Sequence, residues 1–208
     1  MTYTLSRTLF TESPLIRPQA GQEALIQTAR LGDLEAFNAL VLMHQERVYN
    51  LAYRILGDEA AAADATQEAF ILAYRHLGRF HAGSFFAWLY RIATNVCYDV
   101  LRYQKRRPAV SFTQLSGDDD EERELDLPAH EADPETVIQR RELAALLQQH
   151  INTLPIDQRT ALVLSDVQGL SDKEIAVIMR TSIGTVKSRL SRARAKMRRS
   201  LGGAPLAA

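Results

Sequence analysis

Three groups of side chains in this 208-residue chain are spaced for chemistry, and all three suit binding rather than bond-making. Asp64, Gln67 and Glu68 fall within one predicted helical turn, so two carboxylates and an amide share a face that can accept hydrogen bonds from a basic partner. Arg91, Asn95, Arg102, Lys105, Arg106 and Arg107 lie along another predicted helix with Tyr90, Tyr98 and Tyr103 between them and only Asp99 opposed. Aromatic rings among cations suit melted or single-stranded nucleic acid, because bases stack on rings while phosphates are neutralised. Near the C-terminus Thr185, Ser188, Ser191, Arg192 and Arg199 share one helical face, flanked by Lys187 and Arg198 on one side and Arg189 and Lys196 on the other. Every charged residue from Arg180 to Arg199 is cationic, which attracts phosphate and releases counterions, and short polar residues beside arginine can reach base edges. The plain alternatives are a solvated acidic face and a solvated or partner-binding basic helix.

The elements that must hold these groups are legible from their punctuation. Ser171 with Glu174 three residues on is a capping box, Leu170 and Ile175 are spaced as a hydrophobic staple, and Ala176, Ile178 and Met179 supply a buried stripe. Arg180-Thr181-Ser182 breaks that helix and offers Thr181 or Ser182 as the next N-cap. Ile183, Val186, Leu190, Ala193 and Met197 then recur at three and four, fixing the inner face of the last helix. Together these form a helix-turn-helix whose second helix is basic. Upstream, a helix from Gln22 stops at Gly32, and Asp33 caps one that runs to Gly57. A third runs from about Glu59 to Leu77, and Ser84 caps a fourth, with Phe85, Trp88, Leu89, Ile92, Val96 and Val100 inward, that ends before Pro108. Asp133-Pro134 starts a fifth helix and Asp157 is placed to cap a sixth that ends at Gly169. The pattern is all-α: a leader over 1–20, a helical domain over 21–108, a flexible acidic linker over 109–133, a second helical domain over 134–201 and a short tail over 202–208.

Composition narrows the class. The formal net charge is zero, yet acidic and basic residues are segregated into blocks, so the sum conceals a nucleic-acid signature. A lone Cys97, inward by helical phase, excludes an internal disulfide and argues against a redox switch. The histidines are scattered without metal-ligand spacing, and no Glu-x-x-His completes a helical-bundle metal site around Asp64 and Glu68, so neither metal nor cofactor is expected, nor enzymatic activity. No apolar run spans a bilayer and no signal peptide opens the chain, which points to a cytoplasmic protein without membrane insertion.

Three stretches, Asp64-Ala65-Thr66-Gln67-Glu68-Ala69-Phe70, Trp88-Leu89-Tyr90-Arg91-Ile92-Ala93-Thr94-Asn95 and Gly184-Thr185-Val186-Lys187-Ser188-Arg189-Leu190 with Arg192-Ala193-Arg194, closely resemble bacterial RNA polymerase sigma factors of the extracytoplasmic-function group. The resemblance covers almost the whole chain and makes the first domain sigma region 2 and the second region 4. It implies that Asp64, Gln67 and Glu68 dock on the clamp helices of core RNA polymerase, with the flap as a further contact. It assigns the promoter -10 element to His81, Arg91, Asn95, Tyr98, Arg102, Lys105 and Arg106, and the -35 element to Thr185, Lys187, Ser188, Ser191, Arg192 and Arg199. A small Ser191, where some relatives carry an aromatic, implies a modest contribution there. The loop Phe80-His81-Ala82-Gly83-Ser84-Phe85 is a residue shorter than the family's common form and lacks its acid, which leaves the identity of a flipped -10 base open. An anti-sigma factor is an implied partner, and a linker polyanion at Asp118 to Glu122 would lie in the polymerase channels and affect promoter escape. A free-standing helix-turn-helix regulator is the competing reading; it would bind promoters tightly without polymerase.

Overall fold

Helix caps set the element boundaries. In the computed structural model, which describes residues 21–80, 84–106 and 134–202, α1 spans Gln22–Arg30 and α2 spans Leu34–Leu56. Gly32 turns between them at φ 97°, and the Asp33 carboxylate accepts the Ala36 N–H at 2.9 Å. Asp58 repeats that device for α3, Glu59–His76, accepting the Ala61 N–H at 2.7 Å. A 3₁₀ turn at Leu77–Arg79 leads toward α4, Phe85–Arg106, whose first turn is capped by Ser84.

These helices pack on one another because each carries one apolar stripe. Leu40, Val48, Leu51 and Ile55 of α2 meet Phe85, Leu89 and Ala93 of α4 in the buried core. The inner face of α3 is Ala62, Ala65, Ala69 and Ala73, all buried; side chains this small let it lie close against its neighbours and leave its polar face outward.

The second module begins with α5, Pro134–Asn152, and α6, Ile156–Leu162. Asp157 does not cap α6: Pro155, with its ring-fixed φ of −54°, holds the N-cap position and Asp157 falls in the first turn, where its carboxylate pairs with Arg189 instead. α6 runs without a break into a π-helical turn at Val163–Val167, closed by the Gln168 N–H donating to the Val163 carbonyl at 2.9 Å, before Gly169 ends it at φ 72°. α7, Asp172–Ile178, opens on the full capping box of Ser171 and Glu174, with Leu170 and Ile175 both buried. α8, Ile183–Leu201, is capped by Ser182. The fold is all-α, with no strand among the described residues. The two modules touch: α4 lies against α7, and α2 against α5 and α6.

Candidate nucleic-acid and partner-binding surfaces

Asp64, Gln67 and Glu68 project from α3 into solvent and have no hydrogen-bond or ion-pair partner among the described residues. Beside them α2 and α3 leave an apolar groove of about 720 Å³, floored by Phe37, Val41, Phe70, Ile71 and Tyr74, with Gln67 on its rim. Leu34, Ile71 and Tyr74 are exposed there, so an apolar strip adjoins a pair of free carboxylates.

On α4 the candidate residues divide. Asn95, Arg102, Lys105 and Arg106 are exposed and Arg91 is half-buried, while Arg102 is tied to Asp99 at 3.0 Å across a solvated pair. Tyr90, expected among the DNA-facing rings, is wholly buried: its ring packs against Phe86 with centroids 3.8 Å apart and planes tilted by 41°, and its hydroxyl donates to Gln168 Oε1 at 2.5 Å. Its helical phase places it on the core side, and burial raises its phenol pKa. Tyr98 is half-covered by the second module, where burial raises its pKa and the Thr160 hydroxyl, Asp157 and Arg189 are its neighbours. Tyr103 stays exposed. Phe85 is core, as its phase predicts, and Trp88 is half-buried against Phe80 and Phe85. His81 lies outside the described residues.

On α8 Val186, Leu190, Ala193 and Met197 form the inner face, whereas Ile183, one turn earlier, is exposed because nothing packs over the helix start. Lys187, Ser191, Arg192 and Arg199 face solvent, with Ser188 and Thr185 half-buried and the Thr185 hydroxyl bonded to Ser182 at 2.9 Å. The cations are not uniformly unopposed. Arg189 is bound to Asp157 at 2.7 Å, Arg194 forks onto Asp166 at 2.5 and 3.1 Å, and Lys196 donates to the Thr153 carbonyl. The acids that neutralise Arg189 and Arg194 stand on α6 and the π turn, outside the cationic stretch from Arg180 to Arg199. Lys187, Arg192, Arg198 and Arg199 are left for a polyanion, making no ion pair among the described residues.

The sequence does not announce the polar junction between the modules. Arg54 donates to Gln148 Oε1 at 2.8 Å, Gln148 Nε2 reaches the Arg54 carbonyl at 3.4 Å, and Arg159 donates to the Ile55 carbonyl at 2.6 Å. The last carbonyls of α2, which have no intrahelical donor, are thus capped by side chains of the other module. Arg159 also donates to the Asn152 carbonyl at the end of α5. Gly57, at φ 76°, lies against the Asn152 side chain with no room for a Cβ. These residues are ordinary by type; the only sequence signal was two glutamines, Gln148 and Gln168, at otherwise apolar positions, and both are buried. Among the described residues no group of His, Cys, Asp and Glu could hold a metal ion, and no helix is long and apolar enough to cross a membrane.

A helix-turn-helix with a free basic face, an aromatic and basic helix, and an acidic face beside an apolar groove define a nucleic-acid-binding protein that also docks on a protein partner. Comparison with known proteins makes this specific. The profile of Sigma-70 region 2 matches residues 40–107 and that of Sigma-70 region 4 matches residues 144–197. The RNA polymerase sigma-H factor of Pseudomonas aeruginosa is 40% identical over 185 residues, covering 88% of this chain and 95% of that protein. The ECF RNA polymerase sigma-E factor of Escherichia coli K12 is 39% identical over 179 residues, covering 85% and 92%. Among solved structures, CnrH in complex with the cytosolic domain of CnrY superposes with a TM-score of 0.64 at 26% identity, over 88% of this chain and 98% of that one. The sigma factor RpoE of Bartonella quintana, in complex with the anti-sigma factor NepR, shares the fold with a TM-score of 0.61 at 24% identity, over 82% and 99%. The chain belongs to the extracytoplasmic-function sigma factors of the sigma-70 family, the transcription initiation factors that direct core RNA polymerase to promoters.

Proposed function

We propose that this sigma factor divides its work among three exposed faces. Asp64, Gln67 and Glu68 receive the clamp helices of core polymerase, whose apolar side chains enter the adjoining groove while basic ones meet the free carboxylates. Arg91, Asn95, Tyr98, Arg102, Lys105 and Arg106 of α4 take the melted -10 strand, with Asn95 donating and accepting at a base edge. Thr185, Lys187, Ser188, Ser191, Arg192 and Arg199 of α8 grip the -35 duplex through phosphates and the major groove. The observation that carries this reading is the sorting of charge on α8, where internal acids tie up the inner cations and leave those of the outer face unpaired. His81 and the acidic stretch at Asp118 to Glu122 lie outside the described residues and stay as expectations from the sequence.

The protein makes and breaks no covalent bond itself, works in the cytoplasm, and is held in check by an anti-sigma factor. The last point is supported by two structural neighbours, CnrH in complex with the cytosolic domain of CnrY and the sigma factor RpoE in complex with the anti-sigma factor NepR. Run-off transcription with purified core polymerase on a genomic promoter library tests the whole. Transcripts that require this chain and fall with Asn95→Ala or Arg192→Ala are expected; no transcript on any template refutes it.

A further inference from the structure

We propose that Arg180 is a further phosphate grip on the -35 duplex, held at a backbone position where it lowers the stability of the fold. The turn between α7 and α8 closes as a Schellman motif: the Thr181 N–H donates to the Ala176 carbonyl at 3.0 Å and the Arg180 N–H to the Val177 carbonyl at 3.4 Å. That motif requires a left-handed residue just after the C-cap, a place glycine fills without strain because it has no Cβ. Here the residue is Arg180, at φ 49°, the one non-glycine residue with positive φ among those described. Gly21, Gly32, Gly57 and Gly169 hold the other such positions.

Nothing inside the chain accounts for an arginine there. Its side chain is exposed and makes no ion pair or hydrogen bond with the described residues. A strained residue whose side chain the fold does not use points to a ligand outside the fold. Its position says which. In a helix-turn-helix the second helix enters the major groove by its N-terminal turn while the first crosses the sugar-phosphate backbone. That leading turn of α8 is open, with Ile183 exposed and only the Ser182 hydroxyl near Gly184. Arg180, three residues before Ile183, therefore stands at the groove rim, where a strand runs past, and the sequence from Arg180 to Arg199 holds no carboxylate to compete for it. A guanidinium on a phosphate there makes a charge-assisted bond that fixes register without reading sequence. Its assignment to the -35 element rests on the sigma reading above, whereas the phosphate contact itself does not.

The test compares Arg180→Gly, Arg180→Asn and Arg180→Lys in the full chain, free on a random-sequence duplex at low salt and as holoenzyme with core polymerase on promoter duplex. Arg180→Gly relieves the strain and should raise the folded-to-unfolded ratio about threefold, read from the urea midpoint of helical circular dichroism at unchanged slope. The same variant should bind DNA more weakly and lower the slope of log K against log salt by about one on either duplex. Arg180→Asn, which tolerates the left-handed region, should lose the same slope. Arg180→Lys keeps both charge and strain and should match the parent in slope and stability. A salt slope for Arg180→Gly equal to the parent's on the random duplex, or an Arg180→Gly chain no more stable than the parent, overturns the proposal. An unchanged slope with weakened affinity for core polymerase overturns it too, by giving the guanidinium to an acidic protein face. If the holoenzyme selects no promoter while the random duplex still reports the lost phosphate contact, the sigma reading falls and the contact stands.

Discussion

His44 shows how one side chain can set a pH limit on the region 2 fold. Its imidazole is buried between Phe85 and Phe86, touches the Gln22 amide at 3.3 Å, and has its pKa lowered to about 4, first by burial and then by Arg47. The unfolded chain protonates near 6.5 and the folded chain does not, so the unfolded state binds more protons between those values. Stability is therefore full above about pH 6.5 and falls as pH drops toward 4, by up to about 3 kcal/mol. Thermal melts at pH 7 and 4.5 should show that loss, and His44→Gln should flatten the part of the slope between pH 6.5 and 4.5. Cys97 makes the opposite point: burial pushes its thiol up to about 12, so native protein should resist a thiol-reactive dye at pH 8 and react fully once unfolded. Rapid labelling of folded protein would contradict it. Inward phase alone revealed Cys97 in the sequence; the aromatic and amide surroundings of His44 were invisible there, because Gln22 comes from α1 and Phe85 and Phe86 from α4, and Arg47 alone of these neighbours shares its helix.

At the scale of elements, caps and stripes were readable because they are local. The capping box on α7, the Asp33 cap of α2 and the inner face of α8 depend on residues a turn or two apart, and each forms as its spacing dictates. Ser171→Ala should cost about 1 kcal/mol, seen as a lower midpoint in denaturant with an unchanged slope. Charge was read less well, since the cationic run on α8 is answered by acids distant in sequence. Arg192 faces solvent unpaired, so Arg192→Ala in the holoenzyme should weaken -35 duplex binding and reduce the slope of log K against log salt by about one. Arg189 is committed to Asp157, so Arg189→Ala should leave that slope unchanged. Equal slope changes for the two would erase the distinction between outer and inner cations.

For the whole molecule, the part that sequence could not supply is the junction, because Tyr90 meets Gln168 and Arg54 meets Gln148 across long stretches of chain with no periodicity to link them. Its tightest point is Gly57, whose positive φ and missing Cβ admit the Asn152 side chain. Gly57→Ala should both strain the end of α2 by roughly 1 kcal/mol and hold α5 away, loosening the modules from each other. Gripping both promoter elements also places a demand on the chain between the modules. Residues 107–133 reach at most about 90 Å fully extended, comparable with the separation of the two promoter elements. Deleting ten residues within that stretch cuts the reach to roughly 60 Å. The shortened chain should keep its affinity for core polymerase, because both modules and the acidic face of α3 are intact. Run-off transcription should nevertheless fail on promoters that depend on both elements, and full transcription from them would mean that the two grips never stand that far apart.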